Sequence, residues 1–180
     1  MPLYVGRMIY HYDHRAASVT TNDENLKVAT NSDVTTDAEK TKPNFHPTPQ
    51  YWLAISDIPQ KDKRDWVIGF RDITNATNAR TMIATISPTV AAGNTLPLIL
   101  PDALGASSYN QWATLLLANL NSLPFDYVAR QKAQSTHLNW YIVEQLPLIK
   151  PEQFEQTLGK TKIADYIRAE VLHLTYTAHD

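Results

Sequence analysis

Three groups of side chains in this sequence have the types and spacing to do chemistry. The first is His11, Asp13 and His14. Imidazoles beside a carboxylate suit a metal site or a small hydrolytic centre. On a strand, i and i+3 point to opposite faces, which opposes joint ligation; on a turn they could converge. No third ligand is evident nearby, so a structural, hydrogen-bonding role is the favoured reading. The second group is Arg71, Asn75, Asn78, Arg80 and Thr81. Arginine pairs bidentately with guanine and asparagine with adenine in the major groove. The same residues also permit a plainer assignment. Asn75 and Asn78 can build an Asx-type turn, with Arg71 and Arg80 paired to Asp72 or other carboxylates. The third group is Arg130, Lys132, His137 and Asn139, a cationic helix end followed by a polar loop. Such a segment can touch phosphates and bases, or the cations can simply oppose the helix dipole.

Other chemistries are excluded by what the chain lacks. Among its 180 residues there is no cysteine, hence no disulfide, thiolate metal site or cysteine nucleophile. The absence fits a reducing cytoplasm. With five glycines in all, a Gly-rich cofactor loop is unexpected, and neither G-x-x-x-x-G-K-[ST] nor G-x-G-x-x-G occurs. There is no G-x-S-x-G elbow. No N-P-P-[YF] or D-P-P-Y tetrapeptide is present to hold a target amine. Asp37-Ala38-Glu39-Lys40 lacks the spacing of a nuclease set. No signal peptide or membrane-length apolar run is found. The net charge of -2 and pI near 6.3 argue against an autonomous duplex binder and suit a reader held within a larger clamp.

The elements that must position these groups emerge from pattern. Leu3-Tyr4-Val5 and Met8 to Tyr12 favour strand and turn. Residues 18–46 are rich in Thr, Asn, Asp, Glu and Lys and poor in large apolar side chains, which predicts a long mobile loop. Tyr51 to Ile55, Trp66 to Ile73, Arg80 to Ile86 and Leu96 to Leu100 read as strands, with a turn at 74–79 and a loop carrying Lys61, Lys63 and Arg64. Gly69 permits a bulge or a close backbone approach. Trp112, Leu115, Leu116 and Asn119 or Leu120 have helical spacing behind a Ser107 or Ser108 cap. Phe125 to Gln131 suits a second helix with Pro124 in its first turn. Trp140 to Val143 reads as extended. Pro151 opens a helix to about Leu158, stopped by Gly159. Ile163, Ile167, Val171 and Leu174 mark a last amphipathic helix. Trp52, Trp66, Trp112 and Trp140 are expected in the core.

Several of these segments, in order, resemble one family. They run from Pro2 to Arg15, Gln50 to Leu53, and Gly69 to Ile73 with Arg80 to Ala84. Asn121 to Lys132 comes next, with His137-Leu138-Asn139 and Gln145-Leu146-Pro147, and then Leu172 to Asp180. The pattern is similar to the C-terminal part of bacterial adenine-specific DNA methyltransferases of type IIG-like restriction–modification and phage-defence systems. The resemblance implies a target-recognition region akin to type I specificity subunits. That is an α+β fold: a mixed, β-rich lobe with several helices, ending in a C-terminal helix. Residues 1–150 would form the recognition domain and 151–180 a helical extension. The chain would be a fragment or a detached specificity module, non-catalytic by itself. Its implied partners are double-stranded DNA and the methyltransferase, and possibly nuclease, domains of the same polypeptide, in the cytoplasm and without a membrane. S-adenosylmethionine and a divalent metal are implied for the parent enzyme and neither for this chain. The implied DNA contacts are Arg71, Asn75, Asn78, Arg80, Thr81, Lys132, His137 and Asn139, with Arg130 structural. Two further functions remain open: an interaction domain packing on the methyltransferase body, and a hydrolase using His11, Asp13 and His14.

Overall fold

The computed structural model describes residues 1–22, 24–57, 65–100 and 105–176, and the expected Lys61–Arg64 loop and the end of the family-like C-terminal segment lie outside them. The fold is mixed α+β, built from small sheets and helices and ending in a helix. Its centre is an antiparallel sheet. Strand β1 (Leu3–Tyr4) and the hairpin strands β2 (Ala17–Asn22) and β3 (Asn25–Val34) precede it, with a short helix α1 (Asp37–Lys40) after them. The central strands are β4 (Trp66–Phe70), β5 (Ala84–Pro88) and, after the short β6 (Ala91–Ala92), β7 (Leu98–Ile99). β4 lies between β5 and β7, with Ile68 opposite both Ile86 and Ile99. β-Branched side chains at this cross-strand position favour the pleated surface. Pro88 does not stop β5 short; it closes the pairing opposite Trp66, on an edge strand where no ladder donor is needed. Gly69 is there for close approach: a Cβ would lie 3.0 Å from Leu96 Cδ1.

The remaining helices follow. They are α2 (Gly105–Leu120), α3 (Leu123–Lys132), α4 (Trp140–Val143), α5 (Pro151–Phe154) and α6 (Ile163–Thr175), with the hairpin β8 (Thr157–Leu158)–β9 (Thr161–Lys162) before the last. Of these, α2, α3 and α6 contribute to the core that the sheet shares. Tyr109, Ala113, Leu117 and Leu120 of α2 pack with Ile68, Phe70, Met82, Phe125, Leu138 and Val171. Burying a side chain such as Phe70 stabilises the fold by about 2 kcal/mol. The i, i+4, i+8 series differs from the expected face. Leu115 instead joins Phe154 and Ala164 in a second cluster, with Trp112 packed against it. The helix starts at Gly105, ahead of both serines expected as its cap.

Several local expectations are corrected. Residues 18–46 are not an unstructured loop. They form the β2–β3 hairpin and then α1, which opens with a capping box between Thr36 and Glu39. The poverty in large apolar side chains does show as low burial, since much of β3 is exposed; Ala17 and Val19 anchor the hairpin's inner face. Buried Arg15 donates to the carbonyls of Lys40, Lys42 and Phe45 and ties down the stretch from the end of α1 to Phe45. Tyr51 to Ile55 is not a strand but a single bridge from Trp52 to Pro2, leading into a 3-10 turn. Trp140 to Val143 is a helical turn, because Asn139 caps it by accepting from the Ile142 amide. Gly159, at φ 65°, does not end a long helix; it makes the β8–β9 turn. Trp52 and Trp140 are exposed, and Trp66 and Trp112 are only partly buried, so the tryptophans rim the core. α3 and α6 form where the spacing places them, α3 with Pro124 in its first turn and Ser122 accepting from the Phe125 amide.

Candidate nucleic-acid interface

The two polar segments singled out in the sequence, 71–81 and 130–139, meet. Past the end of β4 the chain stays extended, and Ile73 bridges His137. The Thr74 amide donates to the Thr136 carbonyl at 3.0 Å and the Leu138 amide to the Asp72 carbonyl at 2.7 Å. On its other side the same stretch is held by the Asp72 amide, which donates to the Thr95 carbonyl at 3.1 Å. Residues 71–74 are thus the middle rib of a short ribbon. The pleat puts Asp72 and Thr74 on one face, both buried, and Arg71 and Ile73 on the other.

Asp126, on the first turn of α3, welds the two segments together. One carboxylate oxygen accepts from the backbone amides of Thr81 at 2.7 Å and Met82 at 2.8 Å. The same carboxylate pairs with Arg80 at 3.5 Å and Arg130 at 3.2 Å. Burial pushes its pKa up, but the two amides, Arg130 and Arg80 outweigh that and hold it below the usual carboxylate range. Arg130 then donates to the carbonyls of Ala76, Asn78 and Ala79, capping the 75–80 turn from beneath. Arg80 donates to the Asn121 carbonyl. The Asn121 amide group itself exchanges two 2.9 Å bonds with the Ala84 backbone, completing the edge of β5.

The predicted contact residues therefore divide. Thr81 is fully buried, and Arg80 is spent on Asp126 and Asn121. Arg71 pairs with no carboxylate among the described residues; it donates to the carbonyls of Gly6 and Ile9, and burial lowers its pKa. Asn75 builds an Asx turn, its side-chain oxygen accepting from the amides of Thr77 at 2.8 Å and Asn78 at 3.1 Å. Asn139 caps α4 while remaining exposed. Asn78, Lys132 and His137 are exposed on the rim of the joined loops. His137 is oriented there: its Nδ1 lies 2.6 Å from Asp72 Oδ2. An ionised carboxylate only accepts, so Nδ1 carries the proton in that bond.

Sequence reasoning missed Asp126 and named Asp72 only as a partner for Arg71 or Arg80, whereas it holds His137. Asp126 could have been found from its i, i+4 spacing to Arg130 on a helix. His11 and His14 lie on and just after a turn, Tyr10 to Asp13, where His11 Nε2 is bonded to the Met82 carbonyl at 3.0 Å and His14 is buried. Among the described residues no three His, Asp or Glu side chains gather as a metal site, and no helix is long and apolar enough to cross a membrane. No family model, curated protein or solved structure matches the chain.

Proposed function

We propose that this chain is a DNA sequence-recognition module of a bacterial restriction–modification adenine methyltransferase, non-catalytic by itself. The observation that carries the reading is the junction of two separate polar loops into one braced rim bearing Asn78, Lys132 and His137. Loop tips on a rigid scaffold are where recognition groups are held at fixed geometry. In this reading the arginines play a different part from the one their residue type suggests. Arg80 and Arg130 brace the loops, while Asn78, His137 and Asn139 face base edges and Lys132 faces phosphate. The methyl donor and any nuclease metal belong to other domains of the parent enzyme, and the chain works in the cytoplasm beside them.

The test is titration of labelled duplexes of randomised sequence at low salt. Saturable binding that weakens as salt rises is expected, with dissociation constants of roughly 10⁻⁶ to 10⁻⁴ M for non-specific duplex. Absence of binding both by the chain and by the intact parent enzyme sinks the reading. A second reading, an interaction domain seated on the methyltransferase body, is favoured by one feature. A groove of about 470 Å³ between α2 and α5 is lined by Trp112, Leu115, Leu116, Leu148, Ile149 and Phe154. The variant Lys132→Glu separates the two. Weakened duplex binding supports recognition, and unchanged binding supports interaction.

A further inference from the structure

A cavity of about 300 Å³ lies on the other side of the 71–74 rib from the His137 segment. Its walls carry two guanidinium groups, Arg7 and Arg71, with Gln50, Asn94 and Thr95 as further polar groups and Ile73 at the edge shared with the rim. Among the described residues no carboxylate lines it. Its floor is a close contact: the Gly6 amide donates to Thr95 Oγ1 at 3.1 Å, and a Cβ at Gly6 would fall 2.3 Å from the Thr95 carbonyl. Glycine at position 6 is what lets the 3-10 turn Gly6–Met8 press onto Thr95 and bring Arg7 over the cavity.

Neither cation forms an ion pair with a described residue; the carboxylate of an adjoining cavity that both arginines also line, Asp13, is paired with Lys40. Arg71 is largely buried, and its Nε and one Nη donate to backbone carbonyls, which leaves the other Nη without a described acceptor. Arg7 is exposed and makes no hydrogen bond or ion pair with a described residue. In a protein of net charge -2, two unpaired guanidiniums sharing one concave, polar site make a local positive potential. Guanidinium donors match the oxygens of a phosphate group in geometry and charge.

We infer that this groove is a phosphate-binding site, which the module lays against the nucleic-acid backbone beside the bases met by the rim. The backbone role rests on the DNA-recognition reading; the affinity for phosphate does not. Arg7 supplies the charge from above and Arg71 from the wall, while the carboxamide of Asn94 donates to a remaining oxygen; that of Gln50 is held by the Leu26 carbonyl and the Tyr51 hydroxyl.

Two measurements test it. In the first, inorganic pyrophosphate is titrated into the chain and backbone amide resonances are followed by NMR. Saturable shifts at Gly6, Asn94 and Thr95 are expected, and Arg7→Gln should abolish them. In the second, duplex affinity is measured against salt. Arg7→Gln should lower the slope of log K against log salt by about 1, equally for all sequences. The control Lys160→Gln, an exposed charge on the β8–β9 turn, should leave the slope unchanged. Duplex binding with an unaltered slope in Arg7→Gln, and no saturable pyrophosphate shift, overturns the groove and leaves the DNA reading standing. Pyrophosphate shifts without any duplex binding, by the chain or by the intact parent enzyme, keep the phosphate site, as one for a free phosphate, and remove the DNA reading.

Discussion

Four arginines lie near the 71–74 rib, and they fall into two pairs that differ in one respect. Arg80 and Arg130 share a buried carboxylate, Asp126; Arg130 spends its other donors on carbonyls of the loop it braces, and Arg80 donates to the Asn121 carbonyl. Arg7 and Arg71 share a cavity that no described carboxylate lines, and in the adjoining cavity they also line, the one carboxylate, Asp13, is paired with Lys40. A charge neutralised inside a scaffold organises it; a charge left unneutralised at a concave surface is available to a ligand. Residue type alone gives both pairs the same promise of DNA contact. The placement of one aspartate separates them, and it also explains why charge reversal at Arg80 would test folding rather than recognition.

The contrast breaks most sharply at Asp126. Asp126→Asn should lose about 3 kcal/mol of stability, because two buried backbone amides and two guanidiniums lose a charged acceptor. Urea denaturation monitored by tryptophan fluorescence reads this directly. The folded pKa of Asp126 is depressed below its unfolded value. Its contribution is therefore fully present above the unfolded pKa and is lost as pH falls through the folded one. Wild-type stability should drop on acidification below about pH 4, and the asparagine variant should show a flatter acid limb. Parallel acid limbs for the two proteins would remove Asp126 as the organiser.

Arg130→Lys is the next largest change. A lysine keeps the charge but cannot span three carbonyls with a planar fork. A loss of about 1.5 kcal/mol is expected. It should be accompanied by faster hydrogen exchange in the 74–82 segment, including the Thr81 and Met82 amides. Arg7→Gln, by comparison, should alter stability by no more than about 0.5 kcal/mol, since it touches no described buried partner. A destabilised Arg7→Gln would place Arg7 with the bracing pair.

What the sequence reveals about this arrangement depends on the range of the forces involved. α3 and α6 are legible because spacing, Pro124 and a serine cap act within a few residues. The β2–β3 hairpin is not, because its strands are held by cross-strand bonds rather than by an apolar face. Trp140 to Val143 has strand-like side chains, yet a local cap at Asn139 decides its conformation. Gly159 shows one residue property serving two structures, since a left-handed glycine can end a helix or turn a hairpin. The polar loops are legible as candidates for recognition. Their meeting is not, because Asp72 and His137 are 65 residues apart and nothing local to either encodes the pairing. Arg7 is illegible for a related reason: a single cation after a glycine acquires meaning only when Arg71 and Thr95 arrive beside it.

A small effect on stability, and the most informative about recognition, belongs to His137. Its side chain is 54% exposed while that of its partner Asp72 is 11% exposed. An ion pair or charged hydrogen bond at such a surface contributes less than about 1 kcal/mol. His137→Ala should therefore leave the denaturation midpoint nearly unchanged. With Nδ1 committed to Asp72, Nε2 is the ring atom free to meet a base edge. Selection of bound duplexes from a randomised pool should then show, for His137→Ala, lost preference at one base pair, corresponding to about 1–3 kcal/mol of discrimination. Asp72→Asn should weaken the same preference by releasing the ring. A uniform loss of affinity across all sequences would instead assign His137 to the backbone, alongside Lys132. An unchanged preference would take base reading away from the 136–138 segment and leave it to the 75–79 turn that Arg130 braces.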